Sequence, residues 1–85
     1  MKTDHVILGV HVTDRVRHAG EVQKVFTEFG GHIKTRLGLH ELAEGSGEGV
    51  VLLELVGGAK VAKDMSARLQ AIEGIEVKDM VFRHA

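Results

Sequence analysis

The chain contains no cysteine, proline, tryptophan or tyrosine, and three phenylalanines are its only aromatic residues. Without Cys there are no disulfides and no thiolate metal sites. Without a surplus of basic residues there is no electrostatic case for nucleic acid, since eleven Lys and Arg face twelve Asp and Glu, for a formal net charge of −1. No long apolar run is present, which removes a membrane span. With Met-Lys-Thr-Asp at the start, it also argues against a signal peptide. The expected location is the cytoplasm of a bacterium or archaeon. Catalytic signatures are missing too. No Cys nucleophile, no Ser–His–Asp order and no carboxylate pair on an apolar face stands out, so the chain is not expected to be an enzyme.

What is present is 85 residues, the size of one domain. So short a chain buries about 60–65% of its unfolded surface and is modestly stable alone. With disulfides excluded, a metal or partner subunits would have to add stability. Six histidines, His5, His11, His18, His32, His40 and His84, bring metal and pH chemistry into consideration.

From His5 to Thr13 apolar residues alternate, with Val6, Leu8, Val10 and Val12 on one face, as in a half-buried strand. Asp14 can cap a following helix, although Arg15 and Arg17 in its first turn oppose the helix dipole. Val22, Val25, Phe26 and Phe29 form its buried stripe, and Gly30-Gly31 reads as a left-handed stop. Ile33–Leu42 reads as a second strand with two unlike faces. Ile33, Leu37 and Leu39 point to the core; Lys34, Arg36, Gly38 and His40 point away. The Gly-rich stretch 43–49 is a hairpin loop, and residues 50–56, apolar on both faces, suit a central strand. A second helix runs from about Ala59 to Glu73, with Val61, Met65, Leu69 and Ile72 as its stripe and Gly74 as its stop. A last strand covers Ile75 to His84, its alternation slipping near Asp79-Met80.

The two halves echo each other. His5 matches Gly49, and Gly30 matches Gly74, at one offset of 44 residues. A split repeat of this kind predicts an α+β, ferredoxin-like βαββαβ domain. Its four-stranded antiparallel sheet has order 4-1-3-2 and carries two helices on one face. The other face stays bare and mixes aliphatic area with cations, which predicts a homodimer or homotetramer.

Three sets of residues are candidates for binding. Arg36 and Lys34 could take a carboxylate or phosphate, or serve as edge charges that block aggregation. His11 and His40, as neutral imidazoles, could ligate Ni, Zn or Fe with Glu41 or Glu54, or be ordinary interface histidines. Gly45, Gly47 and Gly49 suggest a phosphate loop, but they join two strands and open no helix.

Three stretches carry a family likeness: His11-Val12-Thr13-Asp14-Arg15, the run Ile33-Lys34-Thr35-Arg36-Leu37-Gly38-Leu39-His40-Glu41, and Gly74-Ile75-Glu76-Val77-Lys78. With these the chain resembles, over nearly its full length, small ACT-like proteins related to the C-terminal domain of the nickel-responsive repressor. The nearest group is the iron-only hydrogenase system regulators. The resemblance implies one ACT-like domain over residues 1–85, assembly into dimers or tetramers, and a regulatory role. It places Asp14, Arg15 and Gly38 where ACT domains bind amino acids. The repressor's Cys-containing nickel site has no counterpart, and strand one begins too early for the repressor's N-terminal DNA-binding domain. The expected function is a module that senses a small anion, an amino acid or a metal at a subunit interface and acts on a partner protein. A His-based divalent-metal sensor and a purely structural interaction module are the alternatives.

Overall fold

The computed structural model describes residues 5–13, 15–39 and 48–83, with side chains throughout except in 15–19. The elements are β1 (His5–Val12), α1 (Arg15–Glu28), β2 (Ile33–Leu39), β3 (Gly49–Leu55), α2 (Gly58–Gln70) and β4 (Ile75–Phe82). The strands form one sheet in the order β2-β3-β1-β4, with every neighbouring pair antiparallel. This is the expected ferredoxin-like α+β architecture. The expected positions of His40, of residues 41–47 and of His84 lie outside the described residues.

The core sits between one sheet face and the helices. Val6, Leu8, Val10 and Val12 of β1 alternate into it, and Leu53 and Leu55 of β3 join them. From above come Val22, Val25 and Phe26 of α1 and Ala62, Met65 and Leu69 of α2. The α1 stripe is the expected one, whereas on α2 Ala62 takes the place expected of Val61 beside Met65 and Leu69, since 62, 65 and 69 also share one helical face. Arg68 Nη2 on α2 meets Glu28 Oε2 on α1 at 2.7 Å. As an exposed pair it contributes at most about 0.2–1 kcal/mol, so packing holds the helices together.

The helix ends differ from expectation. Gly30 and Gly31 do not adopt the left-handed conformation; they continue right-handed into a 3-10 turn over Gly30–His32. His32 N–H closes that turn on the Phe29 carbonyl at 2.8 Å. The second helix stops at Gln70 rather than Glu73, and the chain turns through residues 71–74 to a left-handed Gly74, φ +83°. The Gly74 carbonyl accepts from both Thr13 N–H (3.0 Å) and Thr13 Oγ1 (2.8 Å), which ties the β1 exit to the start of β4.

The last strand does not slip. Leu8 pairs with Asp79 and Ile7 with Met80 in an unbroken ladder, so Met80 and Phe82 lie on the bare face and Asp79 on the helix side. The apparent break in alternation arises because β4 is an edge strand. Asp79 stays exposed there, lining with Lys63 a groove beside α2 where a carboxylate remains hydrated.

The largest correction concerns β2. Ile33 pairs with Leu55, but Thr35 pairs with the next residue, Glu54, so the strand bulges at Lys34. One extra residue in a period-two structure exchanges every later side chain between faces. Ile33 still packs on the core. Beyond the bulge, Leu37 and Leu39 lie on the bare face, opposite Leu52 and Val50. Arg36 and Gly38 lie on the helix side, opposite Leu53 and Val51.

Candidate functional site

The bulge brings Arg36 under α1. The Arg36 guanidinium lies over the Phe26 ring, 4.9 Å from its centroid, and Arg36 Nη1 donates to Gln23 Oε1 at 3.4 Å. A cation on the helix side of a sheet is tolerated because β2 is an edge strand: the aliphatic stem covers apolar surface while the head reaches solvent. The ring contact holds the guanidinium with about 0.5–1 kcal/mol, as expected for an exposed cation–π pair.

Arg36 and Gln23 stand at the wall of a cavity of about 350 Å³ between α1 and the β2–β3 half of the sheet. Val12, Val22, Phe26 and Val51 make its apolar lining, and Gly38 and Gly49 leave backbone bare. A Cβ added at Gly38 would meet no atom of the described residues within 4 Å. Among the described residues Arg36 has no carboxylate partner; its only polar partner is the neutral Gln23. An apolar chamber with one fixed guanidinium suits a small anion with an apolar body, because the planar fork can pair with a carboxylate through two parallel hydrogen bonds.

Of the other expected site residues, Lys34 is the exposed extra residue of the bulge, away from the cavity lining. His11 is on the bare face with its Nδ1 3.9 Å from Glu76 Oε1. Arg36 and Gly38 therefore share a site with each other but not with His11. Asp14 and His40 lie outside the described residues, as does the Arg15 side chain. Among the described residues, no three His, Asp or Glu side chains group closely enough to hold a metal. Gln23 and the supporting role of Phe26 were missed in the sequence. Their three-residue spacing puts them on one helix face, the signal that could have joined them to a cation opposite.

No family model matches the chain, and no curated protein matches it in sequence. Solved structures do. The uncharacterized protein TM1266 from Thermotoga maritima superposes with a TM-score of 0.81 at 23% identity, over 95% of this chain and 98% of its own. An unknown protein from Galdieria sulphuraria gives 0.61 at 13% identity, over 99% of this chain and 48% of its own. A formyltetrahydrofolate deformylase from Pseudomonas putida KT2440 gives 0.57 at 14% identity, over 89% of this chain but 28% of the enzyme. At these identities the likeness shows the fold alone. Among the described residues, no helix is long and apolar enough to cross a membrane.

Proposed function

We propose that this chain is a small ACT-like regulatory module. It binds a small carboxylate of amino-acid size in the cavity between α1 and β2, works as a homodimer or homotetramer, and passes its ligand state to a partner protein without itself binding nucleic acid or catalysing a reaction. One observation carries this reading: the Arg36 guanidinium, held by Phe26 and Gln23, lines an apolar cavity and has no carboxylate partner among the described residues.

The alternation of β2 supplies a route from ligand to assembly. Arg36 and Gly38 line the cavity, while Leu37 and Leu39, their immediate neighbours, stand on the bare face. A ligand that draws Arg36 inward also repositions the two leucines. It favours one assembly over another by its differential affinity for the two. The metal reading rests on His40 and His11, and His11 has only Glu76 close to it among the described acidic residues.

A thermal-shift screen of amino acids and short carboxylates tests the proposal. The wild type is expected to be stabilised by at least one of them. Arg36→Met should abolish that shift while retaining the stem over Phe26, and Gly38→Val should weaken it by filling the chamber. Silence across the screen, or an equal shift in Arg36→Met, would sink the reading.

A further inference from the structure

We infer that the cavity under α1 selects an aliphatic 2-oxo acid over the corresponding amino acid, with Arg36 holding the carboxylate and the Gln23 amide nitrogen donating to the 2-oxo oxygen. The inference rests on the ligand part of the proposed function and narrows it from small carboxylates in general to one class.

Gln23 is held in one orientation. An arginine has five N–H donors and no acceptor, so an amide that bonds to it must turn its oxygen toward it. Arg36 Nη1 lies 3.4 Å from Gln23 Oε1, which leaves Nε2, with its two N–H groups, as the free end of the amide. Both residues line the cavity. Apart from this bond the guanidinium fork is unpaired among the described residues.

The polar end of the cavity is therefore a row of donors, the Arg36 fork and the Gln23 amide beside it. A 2-oxo carboxylate is the complement of such a row, because both carboxylate oxygens and the 2-oxo oxygen are acceptors. The carboxylate pairs with the guanidinium through two parallel bonds, and the adjacent oxygen falls to the amide. An amino acid sets an ammonium at that place, donor against donor. Its N–H groups need acceptors, and among the described residues the lining side chains offer only Gln23 Oε1, already engaged by Arg36. Turning the amide over to meet the ammonium would set Nε2 against Nη1. Leaving a desolvated donor without a partner costs far more than one methylene of fit, which is how hydrogen-bonding sites discriminate.

The remaining lining sets the body of the ligand. Val12, Val22, Phe26 and Val51 are apolar, and Arg36 is the one cation among the described lining residues. One carboxylate is matched; a second, in the ligand tail, would be desolvated against valines. A volume of about 350 Å³ admits a branched aliphatic chain.

Isothermal titration calorimetry with 4-methyl-2-oxopentanoate, leucine and 4-methylpentanoate tests this on the whole chain. The three share one aliphatic body and differ only beside the carboxylate. The 2-oxo acid should bind about tenfold or more tighter than the other two, and tighter by a similar factor than 2-oxoglutarate, which has the same head on a charged tail. Gln23 is exposed and outside the core, so Gln23→Leu should fold, as circular dichroism would verify. That variant should bind the 2-oxo acid no better than 4-methylpentanoate, whose own affinity should not change. A variant that merely loosened Arg36 would weaken both. Leucine or 2-oxoglutarate binding as tightly as 4-methyl-2-oxopentanoate would overturn the inference and leave the carboxylate reading standing, as would an equal loss of both acids in Gln23→Leu. Silence with all four compounds would remove the carboxylate reading and this inference together.

Discussion

At the residue scale, two positions show how much depends on the absence of a side chain. Gly57 holds φ at +110° just before α2, and a Cβ there would lie 2.9 Å from both His32 Nδ1 and Val61 Cγ2. Conformation and space both exclude a side chain. Gly57→Ala is therefore expected to cost about 1–3 kcal/mol, from backbone strain with the forced shift of its neighbours. For a domain of this size that lowers Tm by about 4–8 °C per kcal/mol, which differential scanning calorimetry would read. An unchanged Tm would show that the turn relaxes freely. Gly38 is the opposite case: among the described residues nothing crowds it, and it lines the cavity. Arg36 shows why residue identity was easier to read than residue placement. Its chemistry as an anion binder was legible in the sequence. Its neighbours Phe26 and Gln23 were not, because they depend on which face of β2 the side chain occupies.

At the element scale, that face was decided by one residue. Element order, strand order and, Val61 apart, both helical stripes follow from local periodicity and were legible. The bulge was not, because Ile33, Thr35, Leu37 and Leu39 alternate without interruption in the sequence. Only the pairing of Ile33 with Leu55 and Thr35 with Glu54 exposes the extra residue. The left-handed stop expected at Gly30-Gly31 failed for a related reason. Glycine permits that conformation without requiring it, and the closing hydrogen bonds here are those of a right-handed turn. The bulge makes a sharp prediction. Deleting Lys34 leaves Ile33 opposite Leu55 and Thr35 opposite Glu54 in a regular ladder, with Arg36 still facing α1. The deletion variant should fold with stability within about 1 kcal/mol of wild type, the range of ordinary strand substitutions. It should also keep any Arg36-dependent ligand shift. In an unbulged strand the same deletion would invert the faces, expose Ile33 or bury Arg36 in place of Leu37, and collapse the cooperative melt.

At the scale of the whole molecule, one sheet face carries the core and the other carries a set of large apolar side chains with nothing over them among the described residues. Leu8, Leu53, Met65 and Leu69 are fully buried on the first. Ile7, Leu37, Leu52, Met80 and Phe82 stand on the second. A chain of 85 residues gains limited stability from a single core of this size. Covering the second face by association then raises apparent stability through mass action, because the second copy binds only the folded chain. Wild-type Tm should accordingly rise with protein concentration, by about 5–10 °C for each hundredfold increase if a dimer melts directly to unfolded chains. Leu52→Glu should melt at one temperature at every concentration, and below wild type even when dilute samples are compared with concentrated ones. The slope separates the two roles of the face. If Leu52→Glu loses the concentration dependence but keeps the dilute wild-type Tm, the bare face contributes to assembly alone. If both forms show flat melting curves, the second face contributes nothing to the stability of the fold.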